Sequence, residues 1–399
     1  MTYSKFEDDA AVVAFVRTHT DQFSDDDVLL VEEIGDGNIN YIYRVKGEDS
    51  SVVVKQALPY IRIIGTDWPL SIDRIRIEAQ VLQTEAMWAP KFVPKMYAFS
   101  AEESAFVMED IGDHENLRFA FIERHPLPLL GEHLGRFLAE TLFHTSDFYL
   151  DYEAKKRAVA NYINPGLCKI TEDLFFWDPY CDHERNSINP LVRPAAEALW
   201  NDKPLKIAVT TLKRQFMNCP EALIHGDLHA GSVFVRADST KVIDPEFAFY
   251  GPMAFDIGSV IGNLLLDFAG QFGLPGSVQE KEDYQAFLLG EVVTCWTVFK
   301  TRFLALVTEK SDEPTMSDSN YANAFMVQLW HETVGFAGTE VIRRTIGLAH
   351  IADIDSIEDI ELRAKSERWA LALGREMILN RDVISSPEAL NAVALALPY

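Results

Sequence analysis

Leu223-Ile-His-Gly-Asp-Leu-His-Ala-Gly-Ser-Val-Phe-Val235, followed by Lys241-Val-Ile-Asp-Pro-Glu246, sets clusters of charge between short apolar runs. The apolar runs read as two short β-strands, which leaves the charges on loops. Phosphoryl transfer needs a carboxylate that orients and deprotonates an attacking hydroxyl. It also needs further hard oxygen ligands to hold Mg²⁺ against a triphosphate. Asp227 fits the first role, and Asp244 with Glu246 fits the second. A second reading makes His225, Asp227 and His229, spaced two apart, a metal triad on one strand face. Gly226 and Gly231 favour a loop over a strand there and so weigh against the triad.

Outward from this block the chain divides. The first third is strand-rich. Val28 to Ile34 and Asn40 to Val45 are β-prone and flank the turn-forming Gly35-Asp-Gly-Asn38. Two glycines between strands let backbone approach a phosphate closely, and the same residues also suit a plain hairpin turn. Ser51-Val-Val-Val-Lys55 reads as a buried strand ending in a lysine. Ile75, Glu78, Ala79 and Leu82 then recur at helical spacing. An ammonium in a buried strand needs a partner, and Glu78 is the candidate. The pair reads either as a structural salt bridge or as the pair that aims a lysine at the α/β-phosphates of ATP in kinase-like folds. Ala105 to Asp110 is another short strand, broken by Ile111-Gly112-Asp113. From Leu129 onward the pattern is helical apart from the charged block. We therefore expect an α+β, bilobal chain: residues 1–111 a small β-rich ATP-binding lobe, residues 112–399 a larger, mostly helical catalytic and substrate-binding lobe. The hinge falls near Glu109 to Gly112.

Composition narrows the partners. The 399 residues carry 36 Lys plus Arg and 61 Asp plus Glu, a formal charge of −25. A field of that sign repels phosphate backbones and anionic lipid, so we expect neither nucleic acid nor membrane as a partner. The most apolar stretch, Pro252 to Gly270, is interrupted by Asp256 and Asp267. The N-terminus carries no basic start followed by an apolar run. Cys168, Cys181, Cys219 and Cys295 are too sparse for a disulfide framework. A cytoplasmic protein with reduced thiols is expected.

The sequence resembles the aminoglycoside phosphotransferase and choline kinase superfamily, which shares the protein-kinase fold, and within it the methylthioribose kinase family. The resemblance is carried by Gly35 to Asn40, Lys55-Gln-Ala-Leu-Pro-Tyr60, Trp68-Pro-Leu70, Asp73-Arg-Ile-Arg-Ile-Glu78 and Met108-Glu-Asp110. His225 to Ser232, Asp244-Pro245-Glu246 and Arg343-Arg344 continue it. It implies ATP-dependent phosphorylation of 5-methylthioribose at its 1-hydroxyl in methionine salvage, by a homodimer using Mg²⁺. Gly35, Gly37, Asn38 and Asn40 would cover ATP, and Lys55, paired with Glu78, would contact its phosphates. Backbone groups of Glu109, Asp110 and Ile111 would receive the adenine. Asp227 would be the base and a sugar contact, and Asp244 and Glu246 with the intervening Pro245 would hold Mg²⁺. Trp68, Arg343 and Arg344 would reach the substrate. Ser232 stands where most of the superfamily has a metal-binding asparagine.

Three features have competing readings. Asp256 would hydrogen-bond the catalytic-loop backbone rather than touch substrate. Trp68 beside Pro69 could be a core plug. Adjacent helical arginines diverge by about 100°, so Arg343 and Arg344 should not be equivalent, and one could be a solvated charge. Two other functions compete: a phosphotransferase for an aminoglycoside or choline, and a catalytically dead nucleotide-binding scaffold. The Trp68 loop and the arginine pair oppose the first. The complete set of Lys55 and carboxylates opposes the second.

Overall fold

In a computed structural model of the chain, residues 5–34, 39–61 and 65–398 are described, with backbone alone for 61 and 65–68. The N-terminal region runs α1 (Asp9–His19), β1 (Leu30–Glu33), β2 (Tyr41–Lys46), β3 (Ser51–Gln56), β4 (Tyr60–Ile61), β5 (Gly65–Pro69), α2 (Asp73–Trp88), β6 (Met96–Ser100) and β7 (Ala105–Glu109). Five strands form one antiparallel sheet in the order β1-β2-β3-β7-β6. Strand β3 is central and covered on both faces, which is why it reads as an unbroken apolar run. Val52 and Val54 face Val12, Phe15 and Val16 of α1. Val53 faces the opposite way, toward Ile75 and Ala79 of α2. The two-residue period then puts Lys55 on the α2 side.

The C-terminal region opens with β8 (Glu115–Asn116), α3 (Leu117–Ile122), α4 (Leu130–His144), α5 (Tyr152–Asn161), α6 (Pro165–Phe176), α7 (Arg193–Asn201) and α8 (Lys203–Asn218). Short strands follow: β9 (Ala222–Ile224), β10 (Val233–Arg236), β11 (Ser239–Val242) and β12 (Phe249–Gly251). The chain ends in α9 (Met253–Gly270), α10 (Val278–Lys310), α11 (Ser319–Ile346), α12 (Ala352–Asp355), α13 (Ile360–Asn380) and α14 (Pro387–Ala396). The first charged run thus holds two strands, β9 and β10, where the sequence suggested one. The loop between them breaks the ladder because its residues serve other partners.

Every residue of α9 is buried. Its mean hydropathy and length would suit a bilayer, yet here it is the central helix of a helical core. Glycines make that closeness possible. A Cβ on Gly258 would stand 2.8 Å from the Ala337 nitrogen of α11, and one on Gly262 would stand 3.1 Å from the Glu340 stem. The sheet and the helices share one apolar core, which runs from Val53 and Phe106 into α4, α9 and α11.

Candidate active site

Antiparallel pairing of β9 with β12 sets Ile224 opposite Phe249, so the loop after β9 and the loop before β12 emerge side by side. The first carries Asp227 and the second Asp244 and Glu246. Gly226 has φ +82°, a left-handed conformation that a side chain would strain. Asp256, at the start of α9, accepts hydrogen bonds from the backbone nitrogens of His225 (2.6 Å) and Gly226 (3.0 Å). That is the role expected of it. His225 Nε2 contacts the Ile243 carbonyl at 2.9 Å, tying the two loops together, and its Nδ1 receives the Asp227 nitrogen at 3.3 Å. His229 Nδ1 accepts from the Gly231 nitrogen at 2.9 Å. Both histidines thus spend ring nitrogens on backbone, and the metal-triad reading fails for that reason. Ser232 Oγ donates to the Asp227 carbonyl at 3.1 Å.

Across the cleft, Lys55 is 3% exposed and donates to Glu78 Oε1 at 2.7 Å and to Asp244 Oδ1. Burial would pull its pKa down, but Asp244, Glu78 and Glu246 outweigh burial and push it up. Arg74, one turn before Glu78 on α2, joins this cluster. It donates to Asn40 Oδ1 at 2.9 Å and lies 3.4 Å from Glu246 Oε2. Asn40 Nδ2 in turn donates to Glu246 Oε2 at 2.9 Å. Glu78, Asp244 and Glu246 bring ligand oxygens within 4.8 Å of one another. Among the described residues these three carboxyl groups meet two cations, Lys55 and Arg74, and burial pushes the Glu78 carboxyl up to about 8. Burial first, and this crowding second, raise the pKa of Glu246. Among the described residues, Glu78 Oε2 is buried without a hydrogen-bond partner. Asp244 sits at φ +71°, aimed into the cleft and part-exposed. Three clustered hard oxygen ligands, one of them with an unsatisfied oxygen, fit a divalent cation such as Mg²⁺, whose charge would also favour their ionised forms.

A cleft of about 500 Å³ extends from this cluster. Ile42, Val53, Met108 and Ile243 give it apolar walls, and Glu109, Asp110 and Ile111 form one edge. Asp110 is fixed by Arg44 at 2.8 Å and Ser51 Oγ at 2.7 Å, and it accepts from the Gly112 nitrogen at 2.9 Å. The Glu109 carboxylate accepts from the Lys95 nitrogen at 3.0 Å. These contacts tether the segment from Glu109 to Gly112 at this edge of the cleft. Pro245 is buried and opens the short helical turn that carries Glu246.

Arg343 and Arg344 are only 5% and 7% exposed, so neither is a solvated charge. Arg343 Nη2 lies 3.3 Å and Arg344 Nη2 lies 3.6 Å from the same atom, Asp227 Oδ1. The two side chains thus converge rather than diverge, and the Nε of each donates to the Glu340 carboxylate. His229 Nε2 stands 3.4 Å from the other oxygen of Asp227. Burial pushes the Asp227 carboxyl up, but His229, Arg344 and Arg343 outweigh it and hold the group well below the usual carboxylate range. Asp227 is therefore an anion.

The structure thus gathers Asn40, Lys55, Glu78, Asp227, Asp244, Glu246, Arg343 and Arg344 around one cleft. Gly35, Gly37 and Asn38 lie outside the described residues, as does the side chain of Trp68, whose backbone runs in β5. Sequence reasoning gave no role to Arg74, Glu340 or Asn263. Arg74 could have been found from its four-residue spacing to Glu78. Glu340 precedes the arginine pair by three and four residues, the spacing at which helical side chains meet.

The fold and the paired loops are those of a phosphotransferase with a kinase-like architecture. Residues 30–286 match the phosphotransferase enzyme family, and the chain belongs to that family, in its methylthioribose kinase branch. A methylthioribose kinase of Yersinia pseudotuberculosis serotype IB (strain PB1/+) is 48% identical over 354 residues, 88% of this chain and 87% of the relative. One of Pectobacterium carotovorum subsp. carotovorum (strain PC1) is 46% identical over 369 residues, 92% of each chain. Among solved structures, a choline kinase of Cryptosporidium parvum Iowa II superposes with a TM-score of 0.50 at 11% identity, covering 96% of this chain and 100% of its own. That likeness concerns the fold alone.

Proposed function

We propose that this chain is an ATP-dependent kinase that phosphorylates 5-methylthioribose on its 1-hydroxyl, giving the 1-phosphate and ADP. The observation that carries the chemistry is the meeting of Asp227 with Arg343 and Arg344, across the cleft from Lys55 and Asp244. An anionic base and a pair of cations at one point suit a hydroxyl that loses a proton as it gains a phosphoryl group. The relatives named methylthioribose kinases support the choice of sugar.

In this reading Asp227 accepts the hydrogen of the 1-hydroxyl and aligns its oxygen on the γ-phosphorus. The new O–P bond forms as the bond to the ADP oxygen breaks, and the proton passes to Asp227. His229, Arg344 and Arg343 keep Asp227 an anion, which lets it accept the hydrogen bond of the hydroxyl. The arginines then offset charge on the transferring group. Lys55 exchanges Asp244 for phosphate oxygens. Asp244 and Glu246 would hold Mg²⁺, which supplies charge neutralisation at the phosphates when bound. Catalysis of this kind is positioning and electrostatics. Residues 1–111 would form the ATP lobe and residues 112–399 the catalytic lobe, with adenine at the backbone of Glu109 to Ile111. A cytoplasmic homodimer serving methionine salvage completes the reading. Four free cysteines are in keeping with that compartment. The buried cations beside Asp227 oppose a cationic substrate such as choline or an aminoglycoside.

A turnover assay with γ-labelled ATP against methylthioribose, other sugars and amino alcohols tests this. Label should move to methylthioribose and to no amino alcohol. Transfer to a different acceptor, with none to methylthioribose, would overturn the proposal.

A further inference from the structure

We propose that Glu340 is the positioning residue that makes Arg343 and Arg344 act at one point, and that it couples that point to the catalytic loop. The inference rests on the reading of the arginines given above. Adjacent residues leave an α-helix about 100° apart, so two neighbouring arginines do not by themselves converge on one atom. Here both do, and the manner is specific. Glu340 Oε2 takes Arg343 Nε at 2.5 Å, and Oε1 takes Arg344 Nε at 3.0 Å. Both contacts to Asp227 use the far Nη2 ends instead. A guanidinium is a planar fork, so gripping the Nε edge sets the direction of its Nη donors. One carboxylate thereby aims two forks at one place.

The carboxylate itself is fixed. Glu340 has no exposed surface. Its stem is pressed by Gly262 of α9, where even a Cβ would stand 3.1 Å from Glu340 Cβ and Cγ. Asn263 Nδ2 donates to Glu340 Oε1 at 3.0 Å, while Asn263 Oδ1 accepts from the Ala230 nitrogen of the catalytic loop at 3.2 Å. A single amide side chain therefore spans the distance from the loop that carries Asp227 to the residue that aims the arginines. The Phe175 ring covers the guanidinium of Arg343, with the centroid 3.6 Å from Cζ. Charge points the same way. Two abutting guanidiniums repel, and Glu340 offsets one of the two charges while Asp227 faces both.

The test is steady-state kinetics on Glu340→Gln, which keeps the shape and removes the charge. The expected result is a fall in kcat with methylthioribose of about 10²-fold, the scale of a misaligned reacting group. The dissociation constant for Mg·ATP should stay within about twofold of wild type. In an Arg343→Ala/Arg344→Ala background the same change should add less than about twofold, because nothing remains to be aimed. A merely structural glutamate would lower kcat equally in both backgrounds, and that result would overturn the proposal. If Glu340→Gln does not fold, Glu340→Asp decides. It keeps the charge but is one methylene too short to grip both Nε edges, so kcat should fall about tenfold at unchanged Mg·ATP affinity. Wild-type kcat in Glu340→Asp would overturn the proposal. Failure of the functional reading shows differently: wild-type enzyme would not turn over methylthioribose, and the same variants would be read on the acceptor identified by the panel.

Discussion

A Cβ on Gly226 would stand 2.4 Å from the carbonyl oxygen of Phe247. The catalytic loop thus presses its backbone directly on the segment that carries Asp244 and Glu246, and it does so at a left-handed φ of +82°. Gly226→Ala meets both obstacles. The conformational strain alone costs about 1–3 kcal/mol, and the clash with backbone adds to it. Chemical denaturation should show that loss, and turnover should fall sharply. Unchanged stability with unchanged turnover would contradict this account of the loop.

Asp227→Asn preserves shape and removes the proton acceptor proposed above. Its fold and its affinity for Mg·ATP should persist, because the neighbours of Lys55 are untouched. Phosphoryl transfer should fall by about 10²–10⁴-fold. Near-normal turnover would remove Asp227 from the role of base.

Asp244→Asn is the cleanest probe of the metal reading. Asparagine tolerates the left-handed backbone that Asp244 adopts at φ +71°, so strain is not a confounding effect. What is lost is a charged oxygen ligand and the ion pair with Lys55. Calorimetry should show Mg·ATP bound at least about tenfold more weakly, since hard cations favour charged oxygen. Equal affinity in the variant would count against Asp244 as a ligand.

A pH effect on stability should arise at two carboxylates that do not line the cleft. Burial, and next the charge of Glu332, push the Glu221 carboxyl up to about 7 from an ordinary 4.5. A carboxyl raised in this way favours folding while it is protonated. That contribution is complete below about 4.5 and is lost as the pH rises through about 7. Glu332→Gln removes the repelling charge. The melting temperature of the variant relative to wild type should therefore climb between pH 5 and pH 8, by up to about 2 °C. A difference that stays flat or falls across that range would refute the coupling.

Much of this was legible in the chain because local pattern and chemistry agreed. The unbroken apolar run from Val52 to Val54, the helical spacing from Ile75 to Leu82 and the glycines of the charged loop each pointed to one structure. The sequence expectation for Asp256 held for the same reason: a lone carboxylate in an apolar run needs donors, and backbone amides supply them. What sequence rules mishandled was convergence in space. Helical geometry says that Arg343 and Arg344 diverge, yet both reach Asp227 while Glu340 holds the Nε of each. Arg74 escaped notice because its partners Asn40 and Glu246 are 34 and 172 residues away along the chain. The three-strand run from β9 to β11 was misdivided because short strands leave little periodicity to count.

The wholly buried α9 has a consequence for how the polypeptide is made. Its covering helix α11 ends at Ile346, which leaves the ribosome 76 residues (346 − 270) after Gly270. At about 5–20 residues per second, an apolar rod of 18 residues waits about 4–15 s before its partner exists. During that interval it is the natural target of chaperones that hold exposed apolar segments. Slow translation between α9 and α11 should therefore lower the yield of native enzyme more than the same delay placed after Ile346.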